Sequence, residues 1–298
     1  MALFAGLPPA RAEIELYRAK GRLDGMRMTT LIALAAFLGS AGTTLAQNTP
    51  EENNPNVDAP FVRNIRADRP GQTVTAQVLR PGRLQLETGT QRLSPASGIG
   101  VGSSGALLRI GFFNGMELRV TQSYFNNHTV VNTEGGRTIV GGWAPAVVGA
   151  KFMLSPNYDT RTQVAILAET EVPSTGSDGL RATKFTPGGR LLVSQQLGQR
   201  FGLEGNFGFS QRGLTVADMK QGQYLGSLAL NGAIGNKAGF FVEAYGAGRQ
   251  ALTTGTTAGL YFRPVPAVRV DVSAGRVLGG PAAGSSTVGA GLVFKVGK

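Results

Sequence analysis

The stretch at 267–277, "AVRVDVSAGRV", places Val268, Val270, Val272 and Ala274 on one face of an extended chain and Arg269, Asp271, Ser273 and Gly275 on the other. Successive strand side chains point to opposite sides, so this is a two-faced strand. A soluble sandwich would turn the valines into a protein core and the charges to water. A membrane barrel would turn the valines to lipid and the charges to a lumen. One strand is compatible with both, and the rest of the chain decides between them.

The 298 residues include 44 glycines, and only 16% are charged, against about 25% in ordinary soluble domains. Long helices are not expected from such a composition. The formal charge is +11, but the basic residues are scattered singly among Gly, Ser and Thr. Nucleic-acid binding needs a basic patch or stripe, with interleaved aromatics for single strands, so no nucleic-acid partner is expected. An anionic lipid surface fits the charge better. Cysteine is absent, which excludes disulfides and thiolate metal sites.

Met26-Arg27-Met28 precedes an apolar run over 31–38 and small residues ending in Thr44-Leu45-Ala46, the three-part order of a secretory signal peptide. The run falls short of the about 20 apolar residues that a spanning helix needs. Residues 1–46 are therefore expected to be an upstream extension and a signal peptide cleaved after Ala46, with either translation starting at Met26 or Met28 or an unusually long basic leader region. The polar, Pro-rich continuation makes 47–80 a flexible periplasmic N-terminal segment.

From Gly82 the chain reads as twelve period-2 segments, at 82–90, 104–112, 115–124, 144–154, 161–171, 188–196, 201–211, 223–234, 237–248, 255–262, 267–277 and 287–297. Their lengths suit tilted strands crossing a bilayer. The connections alternate: the short ones carry turn chemistry, as in Asn114-Gly115, "LGQR", Gly235-Asn236 and "RPVP", and the long ones are polar and Gly-rich. A Greek-key sandwich has no reason to sort its loops by parity. An up-and-down barrel with tight turns inside and long loops outside does. The fold expected for 81–298 is an all-β transmembrane antiparallel barrel of about 12 strands in an outer membrane, with lipid as its partner.

In such a barrel the valine face of 267–277 is expected to meet lipid. Other strands divide the same way, with Met116, Leu118 and Val120 against Glu117, Arg119 and Thr121, and Phe201, Leu203, Phe207 and Phe209 against Glu204 and Asn206. Two places blur the pattern. Val147 and Val148 are adjacent, as are Leu191 and Leu192, so one of each pair must face inward.

The run at 65–89, "IRADRPGQTVTAQVLRPGRLQLETG", resembles the opening motif of the outer-membrane transporter family of the MetA pathway of phenol degradation. Asp68-Arg69-Pro70, Thr73, Pro81-Gly82 and Gln85-Leu86-Glu87 carry the resemblance, with Ala67 where Thr is usual. "LAETEVP", Glu243 within "FFVEAYG", "AGLYFRPVPAVRVDVSAG" and the terminal "GAGLVFKV" extend it over most of 65–297. The resemblance implies a barrel that passes small molecules across the outer membrane and brings no shared catalytic residue.

Catalysis finds little support in the residues. The sole histidine, His128, falls in the expected long loop after the third strand, without a held partner for general-base work. Glu169 and Glu171 share a face, and a rim pair screened by Arg and Lys is the simpler reading than a glycosidase dyad, which needs a sugar cleft. "NYDT" and "ETE" supply too few ligands for a metal, and the Gly runs lack the Lys-Ser/Thr of a phosphate loop. No catalytic, metal or cofactor site is expected, and the chain is not expected to be an enzyme.

The remaining polar residues expected to point inward are Gln85, Glu87, Arg109, Glu117, Arg119, Lys151, Gln163, Glu169, Arg190, Glu204, Asn206, Glu243, Arg269 and Asp271. They could line a solute path or pair and fill it. Twelve strands enclose more space than the eight that side chains can fill, which favours a narrow channel for small solutes, aromatic or apolar ones among them. The alternative is a structural or surface-interaction barrel with a closed lumen. Lys295 on the last strand is expected to meet Gln85 or Glu87 where the ring closes.

Overall fold

In a computed structural model that describes residues 65–96, 100–131, 137–158, 160–178, 180–181, 184–212, 221–249 and 251–296, the described chain forms thirteen strands. They are β1 (Leu84–Ser94), β2 (Val101–Phe113), β3 (Met116–Val131), β4 (Arg137–Gly142), β5 (Val147–Met153), β6 (Thr162–Glu171), β7 (Thr186–Leu197), β8 (Phe201–Arg212), β9 (Gln221–Ile234), β10 (Ala238–Gly248), β11 (Thr253–Val265), β12 (Val268–Gly279) and β13 (Ser286–Val296). Sequential neighbours other than β4 and β5 pair antiparallel, β3 pairs with β2, β4 and β5, and β1 pairs with β13 from Leu84↔Val296 to Ser94↔Ser286. The sheet is thus a closed ring of twelve strands. Closure gives every strand two neighbours, which hydrocarbon demands because it satisfies no open edge.

The thirteenth strand, β4, stands outside the ring and pairs with the outer half of β3. Residues 125–131 and 137–142, expected as loop, form this hairpin, and His128 lies on β3 opposite Val140. The β-branched runs Thr129-Val130-Val131 and Thr138-Ile139-Val140 explain it: both favour extended pairing. Strands also run further than expected at the long-loop end, which shortens the connections at 95–100 and 249–252. The opposite end keeps its tight turns. Phe113 pairs with Met116 across Asn114-Gly115, where Gly115 takes φ 76°, and Gly235 takes φ 65° in the β9–β10 turn. Positive φ is what these hairpin turns require and what glycine supplies without a steric penalty.

The two faces separate as the alternation requires. On β12, Val270 and Val272 are exposed at 39% and 56%, whereas Arg269 and Asp271 are buried at 6% and 3%. Outward side chains gather aromatics near both rims: Phe112, Phe113, Phe152, Phe201, Phe262 and Phe294 at the tight-turn end, and Trp143, Phe209 and Tyr224 at the other. Phe209 and Tyr224 rings sit 5.8 Å apart. Such girdles are the interfacial signature of an outer-membrane barrel.

Replacing Val272 by Arg should cost about 2–4 kcal/mol of folding into bilayers, because the charge would face hydrocarbon. Ser273→Arg, on the other face, should cost far less. Urea titration of the barrel in lipid vesicles checks this, and equal costs would refute the assignment of faces.

Candidate functional site

Strand alternation sends a dense set of charges inward. Glu87, Arg109, Glu117 and Lys151 are fully buried, and Gln85, Arg119, Glu204, Asn206, Glu243, Arg269 and Asp271 are buried as well. Glu169 and Arg190 are partly buried, join in an ion pair of 3.3 Å, and occupy the long-loop half of β6 and β7. Gln163 is half-buried and donates to the Tyr158 carbonyl. Lys295 stands directly opposite Gln85 in the β1–β13 register, so the two share a face. Buried charges need partners, and most of those partners come from outside the ring.

Residues 65–80, expected to end a flexible periplasmic segment, instead lie inside the barrel. The expectations for 1–46 and 47–64 fall outside the described residues. The inner segment makes no strand ladder, so its backbone N–H groups need other acceptors, and the wall supplies them. The N–H of Asp68 donates to Glu87 (2.9 Å), those of Gln72 and Thr73 to Glu243 (2.8 and 2.5 Å), and that of Val74 to Asn206 Oδ1 (2.6 Å). Further along, Ala76 donates to Ser194 Oγ and Leu79 to Glu117. Wall cations take the carbonyls in turn: Arg269 donates to Ile65, Arg109 to Arg66 and Gln77, and Lys151 to Thr75 and Gln77. These partners belong to β1, β2, β3, β5, β7, β8, β10 and β12, so the segment is gripped from nearly the whole circumference.

Apolar contact reinforces the grip. Val74, Ala76 and Val78 pack on Ala165, Leu167 and Leu192, all buried. Leu192 is fully buried while adjacent Leu191 is 45% exposed. The blurred spot in the alternation is therefore the seat of the segment's apolar side.

Arg69 occupies a niche made by glycine. Gly89 and Gly291 face each other across the β1–β13 seam, and the Arg69 guanidinium lies where their side chains would be: a Cβ on Gly291 would come within 2.7 Å of Arg69 Cζ. From there it donates to the Ala290 carbonyl at 3.0 Å and faces Asp271 at 3.7 Å. Gly71 is confined similarly, since a Cβ there would sit 2.7 Å from Glu243 Oε2.

The charges on the two sides of the lumen differ in sign. On β1, β2, β3 and β5 the cations Arg109, Arg119 and Lys151 meet the carboxylates Glu87 and Glu117, an excess of one positive charge. Arg109 holds Glu117 in a fork, with two contacts of 2.8 Å. Asp68 of the inner segment completes this cluster: it bonds Arg119 and lies 3.4 Å from Lys151 and 3.7 Å from Arg109. On β8, β10 and β12 the carboxylates Glu204, Glu243 and Asp271 outnumber Arg269, and here the segment brings Arg66, which pairs with Glu204, and Arg69. These wall charges together have one carboxylate in excess, which Arg66, Asp68 and Arg69 together offset, while each side of the wall alone is unbalanced. Burial raises the Asp68 carboxyl's pKa, but Arg109, Lys151 and Arg119 outweigh it and hold it well below the usual carboxylate range. A cavity of about 30 Å³ remains between the segment and the β8–β12 wall, lined by Arg66, Arg69, Glu204, Phe241, Tyr261 and Arg269 among others.

The inward placement expected for the wall residues thus has a partner that sequence reading missed, in Arg66, Asp68, Arg69 and 72–79. A signal was present. Thr73, Thr75 and Gln77 alternate with Val74, Ala76 and Val78, a two-faced extended stretch lying before the first strand of the ring.

A closed ring with an apolar outer band, aromatic rims and a charged interior is an outer-membrane β-barrel. Residues 67–277 match the family described as "Putative MetA-pathway of phenol degradation", and the chain belongs to that family. Among solved structures, an outer-membrane channel from Pseudomonas putida F1 is 12% identical over 76% of this chain and 99% of its own, with a TM-score of 0.60. The NanC porin is 10% identical over 71% of this chain and 100% of its own, with a TM-score of 0.52. These likenesses establish the fold. No curated protein matches the chain.

Gly291→Val should evict Arg69 and loosen the segment, raising amide hydrogen exchange at 72–76 while the ring's own strands stay protected. Unchanged protection at Thr73 and Val74 would contradict the niche. Asp68→Ala should destabilise the docked segment by about 3 kcal/mol, because three cations lose a buried partner. A depressed folded pKa means that Asp68's contribution is present above its unfolded value of about 3.9 and is lost only as pH falls through the lower folded value. Exchange at Thr75, whose N–H donates to Asp68 at 3.1 Å, should therefore remain slow, after correction for intrinsic rates, at pH 4.

Proposed function

We propose that the chain is an outer-membrane channel for small solutes, aromatic or apolar ones among them, exported through a cleaved N-terminal signal peptide. The observation that carries this reading is a closed ring whose interior wall is polar and charged, and whose occupant, residues 65–80, is not a member of the ring. Side chains that point inward from β1, β3, β8, β10 and β12 would set selectivity by charge and hydrogen bonding. Family membership and the channel fold of its structural neighbours support the same reading.

The reading assigns no chemistry to His128 and no role to a cofactor or metal. The candidate lining residues are Glu87, Arg109, Glu117, Arg119, Lys151, Glu204, Asn206, Glu243, Arg269 and Asp271, with Glu169 and Arg190 nearer the outer mouth.

Occupation of the lumen favours a second reading, in which the barrel stays closed and its outer hairpin and the loop at 172–185 bind something at the cell surface. The two readings separate in one assay. Purified barrel in liposomes should pass small solutes, and Glu204→Lys or Arg119→Glu should change the relative flux of anionic and cationic solutes severalfold. Failure of every small solute to cross would leave the surface role, which predicts that deleting 172–185 abolishes function without altering permeability.

A further inference from the structure

The cluster around Asp68 has the form of an occupied binding site. Its carboxylate sits among Arg109, Arg119 and Lys151, with one oxygen also accepting the Thr75 N–H at 3.1 Å. All three cations are buried. Each already touches Glu117, Arg109 at 2.8 Å, Arg119 at 3.0 Å and Lys151 at 3.8 Å, so the wall organises the cations itself.

Glu87 and Glu117 belong to ring strands and cannot leave without breaking ladders. Asp68 can leave, because it stands on the inner segment. Its departure would leave three cations against two carboxylates in a low-dielectric setting, where an unmatched charge is costly. The opposite wall, with Glu204, Glu243 and Asp271 against Arg269, would repel an anion toward that basic side. A planar carboxylate is what guanidinium groups bind with the best geometry.

We infer that Arg109, Arg119 and Lys151 form a carboxylate site on the solute path, occupied here by the chain's own Asp68, so that a small monocarboxylate solute and residues 65–80 compete for it. The inference rests on the channel reading and adds a solute class and a means of control. Docking of the segment closes the path, and a solute carboxylate that takes the place of Asp68 weakens the docking. No covalent step is involved, only exchange of one anion for another. The grip on main-chain groups at 72–79 sets how readily the exchange occurs, and the apolar seat at Ala165, Leu167 and Leu192 resists it.

The test compares benzoate with the neutral, lipid-impermeant sugar arabinose in liposomes carrying the full-length mature barrel, with the flux through protein-free liposomes subtracted. Asp68→Asn removes the internal competitor at nearly constant size, and the half-saturating benzoate concentration should fall about tenfold, as expected when a charged competitor is lost. Arabinose flux should rise less than benzoate flux, because it gains only from the loosened segment, and in a salt gradient the reversal potential should move toward the anion. Adding Lys151→Met to Asp68→Asn should cancel most of the gain.

A second variant avoids altering the charge cluster. Ala76→Cys with Ser194→Cys joins two positions already in contact, since the Ala76 N–H donates to Ser194 Oγ at 3.0 Å, in a chain with no other cysteine. Once oxidised, it should hold the segment in place and block benzoate, and a thiol reductant should restore flux. Benzoate passing the oxidised and reduced forms equally would overturn the competition. Arabinose crossing while Asp68→Asn leaves benzoate saturation and ion selectivity unchanged would overturn the carboxylate site and spare the channel. If neither compound crosses any variant, the channel reading fails and this inference with it.

Discussion

Hydrocarbon offers a peptide group nothing to bond to, and everything in this barrel follows from that constraint. Twelve strands must close because an open edge in lipid would leave a row of N–H and C=O groups unpaired. Closure fixes the alternation, since a strand with two neighbours and lipid on one face has a single apolar side. What is left over points inward, and in this chain the remainder is strongly charged. The interior therefore has a second problem of satisfaction, which the ring alone does not solve.

Residues 65–80 solve it. The inner segment lacks strand partners for its main-chain donors and acceptors; the wall carries carboxylates, amides and guanidinium groups whose pairing within the wall, as of Arg109 with Glu117, leaves further hydrogen-bonding capacity. Glu243 receives two successive N–H groups, and Asn206 both accepts from and donates to Val74. Many of each side's unmet hydrogen bonds find their partners on the other. Sequence-specific recognition lies at a few points: Arg66, Asp68 and Arg69 match local charge, Gly71 is fixed by the nearness of Glu243, Thr73 Oγ1 donates to Ser227 Oγ, and Val74, Ala76 and Val78 match an apolar patch of the wall. Most of the remaining contacts are to main-chain groups.

How much of this could be read from the sequence depends on range. Ring strands were legible because period-2 patterning is local and lipid enforces it, as at Val270 and Val272 or at Phe207 and Phe209. Turns were legible from glycine chemistry, as at Asn114-Gly115. The β3–β4 hairpin reads as loop in the sequence because its Asn and Gly content outweighs the β-branched runs beside them. Inward placement of Arg109, Glu117 or Glu243 followed from parity, but their partners did not, since pairs such as Asp68 with Arg119 or Thr73 with Glu243 are set by long-range closure. Leu192 looked like a defect in the pattern because its reason lies more than a hundred residues away, at Val74 and Ala76.

The glycine niche at the seam has one more consequence. Gly89 belongs to the first strand and Gly291 to the last, so the recess that receives Arg69 is absent until the two ends of the sheet have met. A growing sheet has no place to put that guanidinium, and a completed one does. Insertion of Arg69 therefore registers that assembly is finished, and the molecule carries within its interior a latch that only the whole cylinder can engage.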